Sequence, residues 1–184
     1  PVVGTGKLMK YIMLAGERTI EAYAQEEALG RFRRGLIAKG LGVHGSAPAA
    51  DSETAALLFG LGRSQAATLG RQQLDVAFAS LSRAFDFYAE TDDVAYAVGV
   101  AVYPMQPLPG LRVAAELVAR ALQLVPSDSP EAGRLYSRYV LVMGLEEGDY
   151  QGAMEACDSA LAIAQPTGDL ALEMRTLAYS STVD

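Results

Sequence analysis

The stretch from Ala153 to Leu161 has the sequence AMEACDSAL, and its spacing of small and apolar residues decides the fold. Apolar or small side chains stand four, seven and eight residues after the first alanine, so all of them lie on one face of a helix. Small residues on that face allow a second helix to approach closely. The stretch therefore predicts an amphipathic helix that packs against a neighbour.

The same spacing occurs four times along the chain, with starts 49, 37 and 39 residues apart. Repetition at this period is typical of stacked helical hairpins, because one hairpin cannot bury its apolar face alone. The sequence predicts an all-α fold, a right-handed superhelix (α-solenoid) of about four and a half helical hairpins. The four copies are Ala28-x-x-x-Phe32-x-x-Gly35-Leu36, Ala77-x-x-x-Leu81-x-x-Ala84-Phe85, Ala114-x-x-x-Val118-x-x-Ala121-Leu122 and Ala153-x-x-x-Cys157-x-x-Ala160-Leu161.

Caps, prolines and glycines between the copies predict where the helices begin and end. We expect a single domain over residues 1–184, with a Gly/Ala/Pro-rich linker at 40–52. The last helix has no partner, so Leu172, Leu177 and Tyr179 are expected to lie exposed and to offer a surface for a homodimer. The predicted hairpins are 8–39, 53–90, 93–124 and 131–165, followed by the unpaired helix 170–181.

The composition is that of an ordinary folded chain, with 51% hydrophobic and 20% charged residues. A formal net charge of −7 would repel a phosphate backbone, so we expect no direct nucleic-acid binding. Because no run of about 18 apolar residues occurs, we expect no membrane span. The single cysteine cannot form an internal disulfide and the opening residues do not resemble a secretory leader, which favours a cytoplasmic setting.

The turn Gly148-Asp149-Tyr150, together with the copy that follows it, resembles the second half of a tetratricopeptide repeat. Pro126, after the third copy, also lies where such repeats commonly end. The chain departs from the pattern in two ways: the aromatic that often begins the first helix is missing, and the repeats are longer than the usual ~34 residues. The resemblance implies tetratricopeptide-like hairpins in which the first helix of each hairpin lines a concave face.

Further stretches are similar to the helical-repeat segment of large bacterial signal-transduction ATPases, the maltose-activator-like regulators that end in a LuxR-type DNA-binding domain. In that family the repeats follow an ATPase module and are thought to receive an effector or a partner protein. The resemblance implies a sensor or docking segment of a larger cytoplasmic regulator. The stretches are Leu14–Arg18, Glu26–Phe32, Leu61–Arg63, Arg83–Glu90, Gly144–Tyr150 and Ala160–Ala164.

The sequence assembles no catalytic or metal site. Lys7 invites comparison with a phosphate loop, but Leu8 stands where a Ser or Thr must reach a magnesium ion. The only histidine, His44, lies in the linker, and Cys157 occupies a core position of the repeat, so soft metal ligands do not cluster. Acidic pairs such as Glu146/Glu147 are expected at solvated or capping positions. We therefore expect a protein that is not an enzyme and has no metal or cofactor.

The expected binding surface is the concave face, and the expected partner is a protein or peptide, including other domains of the parent chain. The leading hypothesis is a protein–protein interaction module within a signal-transduction or transcription regulator. The alternative is a small-molecule effector site that gates a linked ATPase. The two candidate tyrosines, Tyr96 and Tyr103, also fit a second interpretation, packing between hairpins. The candidates on the concave face are Lys10, Glu17, Phe59, Arg63, Tyr96, Tyr103 and Arg138.

Overall fold

Nine α-helices and no strand occur in the part of the chain that the structure describes. The computed structural model describes residues 5–43, 45–105 and 112–183, without the side chains of residues 5–10 and 21. The expectation of an all-α fold is confirmed for these residues. The helices are α1 (Thr5–Glu21), α2 (Gln25–Ala38), α3 (Ser52–Thr68), α4 (Leu74–Glu90), α5 (Val94–Ala101), α6 (Val113–Leu122), α7 (Pro130–Val142), α8 (Tyr150–Thr167) and α9 (Leu170–Val183).

Contacts between helices divide the chain into two units, residues 1–92 and 93–184. In the first unit, α1 to α4 pack in sequence order, and α3 also contacts α1. In the second unit, α5 to α9 pack in sequence order, and α9 also contacts α7. In both units, therefore, a helix packs on the hairpin that precedes it, as expected for helical repeats.

Side-chain caps fix the starts of two helices near the predicted positions. At α3, Asp51 Oδ1 accepts a hydrogen bond from the Thr54 N–H at 2.8 Å. At α7, Ser129 Oγ accepts one from the Ala132 N–H at 3.1 Å, and Pro130 occupies the first helical position. Both caps satisfy donors that the first turn of a helix leaves unpaired, and proline needs no such partner.

The end of α8 differs from the predicted one. The helix was expected to stop at residue 165, before Pro166, but it continues to Thr167. Proline is tolerated there because it removes a single backbone hydrogen bond close to the helix end. The helix then stops at Gly168, whose φ of 68° suits glycine better than other residues.

Phe32 of α2 lies at the centre of the core of the first unit. Its ring contacts Gly16 of α1 and Gly60 of α3. A methyl group at Gly16 would lie 2.5 Å from Phe32 Cζ, and one at Gly60 would lie closer still. The ring thus holds three helices at a distance that only glycine permits. A similar contact joins α3 to α4, where a methyl group at Gly62 would lie 2.7 Å from Leu81 Cγ.

Small residues of the fourth repeat copy form the core of the second unit. Ala153, Ala156 and Cys157 of α8 pack with Val140 of α7, and all four side chains are buried. The prediction that Cys157 is a buried hydrophobic residue is therefore confirmed. Tyr179 of α9 packs against this cluster and is partly buried.

The expectation that Leu172, Leu177 and Tyr179 lie exposed is wrong for Leu172, and Tyr179 is only partly exposed. Leu172 was expected to lie exposed, but it is buried beneath α7, where a methyl group at Gly133 would lie 2.8 Å from its Cδ2 atom. Leu177 is exposed, as expected. The helix has apolar residues on two faces, and packing on α7 and α8 covers one of them.

Four charged side chains hold the segment between α2 and α3. Arg83 of α4 donates from Nε to the carbonyl oxygen of Ala47 at 2.7 Å, and burial lowers the pKa of Arg83. Lys39 Nζ lies 2.9 Å from Asp51 Oδ2 and 2.5 Å from Glu53 Oε2. Hydrogen bonds from the Thr54 hydroxyl and from Lys39 lower the pKa of Asp51 to about 2.

We predict that Gly60→Ala destabilises the protein by about 1–3 kcal/mol, because the new methyl group would overlap the Phe32 ring, which Gly16 confines on its other side. Gly30→Ala in α2 is the matched control, since a methyl group there meets nothing within 4 Å. The control should gain up to about 1 kcal/mol from helix propensity. Urea unfolding of both variants measures the difference, and equal midpoints would contradict the packing argument.

We predict that Asp51→Asn removes part of the loss of stability in acid. The pKa of Asp51 in the folded chain, about 2, lies below its ordinary value of 3.8. Its stabilising contribution is therefore present above roughly pH 4 and disappears as the pH falls toward about 2. Asparagine keeps a cap acceptor for Thr54 but cannot titrate.

Urea unfolding of wild type and Asp51→Asn at neutral pH and at about pH 2.5 measures this difference. Asp128→Asn, at an exposed carboxylate before α7, serves as the control and should follow the wild type. If Asp51→Asn loses as much stability on acidification as the wild type, the assignment to Asp51 is wrong.

Candidate functional site

Three of the candidate residues meet on the first unit. Arg63 of α3 pairs through Nη2 with Glu17 Oε1 of α1. The Arg63 guanidinium also lies over the Phe59 ring, with Cζ 4.6 Å from the ring centroid. One turn of α3 separates Phe59 from Arg63, which places both side chains on the same face of the helix. The structure therefore brings together an aromatic ring, a cation and a carboxylate.

The other candidates lie apart from that group. Lys10 belongs to α1, but its side chain lies outside the described residues. Tyr96 of α5 is exposed, and Tyr103, which follows α5, is half-buried. Arg138 of α7 is only 4% exposed and donates to the carbonyl oxygen of Met105. Burial lowers the pKa of Arg138, because a charged guanidinium loses its hydration there.

A groove between α1 and α2 contains residues that the sequence did not single out. It has a volume of about 270 Å³, and Tyr11 and Leu14 on its α1 side are both exposed. Across the groove, Arg31 Nη2 lies 2.5 Å from Glu27 Oε1. Tyr11, Leu14 and Arg18 stand at positions i, i+3 and i+7 of α1, and this spacing is the sequence signal that could have revealed the groove.

Tyr23, between α1 and α2, has an unusual backbone conformation. Its φ is +59°, in the left-handed region, and its side chain is 90% exposed. The chain uses glycine for positive φ where α2 and α8 end, at Gly40 and Gly168, and an aspartate after α4, at Asp92, whose short polar side chain tolerates this region better than tyrosine does. A tyrosine costs about 1 kcal/mol more than glycine in this conformation, and its exposed ring recovers little of that through burial.

A larger cleft, of about 520 Å³, lies between α6 and α7 in the second unit. At the rim of the cleft, Arg112 forms a bidentate ion pair with Glu147. Its Nε lies 2.8 Å from Oε1, and its Nη2 lies 2.7 Å from Oε2. Tyr139 and Met143 also line the cleft. Burial, followed by the charges of Glu147 and Asp149, raises the pKa of Tyr139. The cleft therefore combines an apolar wall with a local negative potential.

A π-helical turn at Met143–Glu147 builds one side of this cleft. The turn directs Glu146 inward, where the side chain is buried and Oε2 accepts a hydrogen bond from the Ala115 N–H at 3.2 Å. Because Ala115 lies in the first turn of α6, Glu146 caps the start of that helix, and only the expectation of a solvated position is wrong. Glu147 instead faces the cleft and Arg112. Because π turns depend on insertion of a residue into the helical register, the helical periodicity of the sequence gave no sign of this one.

Within the described side chains, no group of three or more His, Cys, Asp or Glu residues could hold a metal ion. None of the described helices is long and apolar enough to cross a membrane. No protein-family model matches the chain, and no curated protein sequence matches it either.

Proposed function

We propose that the chain is a non-enzymatic, tetratricopeptide-like helical-repeat module that binds a protein or peptide. In this proposal its hairpins form an α-solenoid that serves as the sensor or docking segment of a larger cytoplasmic regulator of signal transduction or transcription. The fourfold repeat copy and the stacking of consecutive helices within each unit support the proposal. Helical repeats of this kind commonly offer extended surfaces to partners.

Tyr23 is the observation that carries the proposal. A tyrosine at a position where glycine would be more stable lowers the stability of the folded chain. Residues in such strained conformations cluster at binding sites. Tyr23 adjoins the groove between α1 and α2, which Ala22 and Ala24 help to line. Tyrosine, leucine and arginine are exposed around this groove, and tyrosine and arginine commonly supply most of the energy at protein interfaces.

Arg63 offers a second, less exposed surface in the first unit, with 16% of its side chain accessible. Its guanidinium is already ordered by Glu17 and by the Phe59 ring, so binding through it would immobilise little additional side chain. Arginine over an aromatic ring also presents a planar group to carboxylates of a partner. We include Glu17, Phe59 and Arg63 in the proposed protein-binding surface for this reason.

The cleft between α6 and α7 favours the second candidate function, a small-molecule effector site. Its volume of about 520 Å³ falls in the usual range for ligand pockets, and a tyrosine and an arginine line it. An effector bound there would contact the π-helical turn as well as α6 and α7. In this alternative, the contact couples the effector to a linked ATPase.

We predict that Tyr23→Gly raises the stability of the chain by about 1 kcal/mol while abolishing capture of its partner. Glycine adopts the positive φ without strain, but the exposed ring is lost. Tyr23→Ala should lose capture equally without the gain in stability, since alanine retains the steric cost. Ile37→Ala, at an exposed residue near the other end of α2, is the control that should capture as the wild type does.

Affinity capture with quantitative mass spectrometry compares the four chains, and urea unfolding measures their stabilities. A protein captured by wild type and Ile37→Ala but by neither Tyr23 variant supports the proposal. Unchanged capture by Tyr23→Gly and Tyr23→Ala contradicts it.

We predict for the second candidate that a sugar or metabolite raises the melting temperature of the wild type, because a ligand of the native state stabilises it. Tyr139→Phe keeps the ring and removes the hydroxyl, so the shift should shrink if the ligand occupies the cleft. Tyr136→Phe on the same helix is the control, because Tyr136 is not among the residues that line the cleft. A shift that persists unchanged in Tyr139→Phe places the ligand elsewhere.

A further inference from the structure

The face of α9 opposite its buried side carries an apolar stripe. The stripe consists of Leu170, Met174 and Leu177, which are 68%, 72% and 50% exposed. Their spacing of four and three residues aligns them along one side of the helix. Three large exposed apolar residues in one row are more than the scattered single residues that a surface normally carries.

Helix α3 of the first unit and α9 each contain a buried hydroxyl group that bonds to the carbonyl oxygen four residues earlier. In α3, the buried Ser64 donates from its hydroxyl to the Gly60 carbonyl oxygen at 3.0 Å. In α9, the buried Thr176 donates to the Leu172 carbonyl oxygen at 2.8 Å. Gly60 and Leu172 both face the hairpin that precedes their helix. The two helices can therefore be aligned through these hydroxyl groups.

The alignment assigns the stripe to a defined position in the repeat. When Ser64 is aligned with Thr176, the residues of α3 that correspond to the stripe are Leu58, Gly62 and Gln65. All three residues of α3 are buried, whereas their counterparts in α9 are exposed.

In α3 the next helix, α4, covers the second and third of these positions. A methyl group at Gly62 would lie 2.7 Å from Leu81 Cγ, and Gln65 Oε1 accepts a hydrogen bond from the Ser80 hydroxyl at 2.7 Å. The stripe of α9 is thus the equivalent of a surface that a packed amphipathic helix buries elsewhere in this chain. By this comparison the occupant of the stripe is also an amphipathic helix.

Carboxylates border the stripe on the side of α8. Glu173 flanks it on α9, and Ser180 on the same side contacts Met154 of α8 at 3.8 Å. Asp158, one turn after Met154, is exposed on the face of α8 that adjoins this border. On the other side the exposed Ala178 leaves room for close approach. An apolar row with an acidic border matches a helix whose apolar face is bordered by lysine or arginine.

We propose that Leu170, Met174 and Leu177 form a docking site for an amphipathic helix of a partner protein, with basic residues of that helix opposite Glu173 and Asp158. The site rests on the proposed protein-binding function and names the chemistry of one partner. A second copy of this chain fits less well, because each copy has a net charge of −7 and would bring the same acidic border.

The probe is a fluorescent peptide of about four helical turns, with leucine at every third or fourth position and lysine beside the leucines. A matched peptide has glutamate in place of lysine. We expect the lysine peptide to bind the whole chain about tenfold more tightly, with the difference shrinking in high salt. Anisotropy titrations measure both affinities, and sedimentation velocity measures the oligomeric state.

Two variants, each at an exposed or half-exposed residue, test whether the peptide binds at the stripe of α9. Met174→Asp should weaken binding of the lysine peptide about tenfold, because it places a charge in the apolar row. Glu173→Lys should reverse the preference between the two peptides. Ile37→Asp, an exposed apolar residue of α2, is the control that should leave both affinities unchanged. Circular dichroism checks that each variant remains helical.

Equal binding of the two peptides, or lysine-peptide binding that Met174→Asp leaves intact, would overturn the docking site. A wild-type dimer that Met174→Asp dissociates would also overturn it, because the occupant would then be a second copy. These failures are distinguishable from failure of the proposed function, since capture through Tyr23 depends on a different unit of the chain.

Discussion

Large apolar side chains that meet glycines set the distances between helices in both units. Phe32 lies between Gly16 and Gly60 in the first unit, and Leu172 meets Gly133 in the second. Because interiors are close-packed, a helix that presents glycine comes nearer to its neighbour than one that presents any other residue. Burial of the apolar faces depends on this close approach of the helices. The caps and ion pairs add stability to helices that pack in this way.

Buried polar groups then select one register among the arrangements that apolar packing would tolerate. The Ser80 hydroxyl donates to Gln65, and Arg83 reaches a backbone carbonyl 36 residues away along the chain. Each of these groups loses its hydration when buried, so a shifted helix would leave it without its hydrogen bond. The polar contacts thus penalise alternatives that differ little in apolar area.

The fold was predictable from sequence where the determinants are local. The spacing in each repeat copy specifies a helix and its buried face, which is why Cys157 was correctly placed in the core. Leu172 and Leu177 show the limit, because both are apolar and only tertiary packing determines which of the two is covered. The contact of Arg63 with Glu17 joins residues 46 positions apart. The resemblance to tetratricopeptide repeats identified both as candidates, but nothing in the sequence indicated that they would meet.

The least predictable features are also those on which the proposed binding surfaces rest. A folded chain selected only for stability would place glycine or asparagine at the left-handed position of Tyr23 and polar residues along the open side of α9. Both choices would leave the core unchanged, since the side chain of Tyr23 and the exposed side chains of α9 take no part in it. Local rules are obeyed in the repeat copies and broken at these two surfaces, and the proposed contact with a partner would account for exposed apolar side chains there.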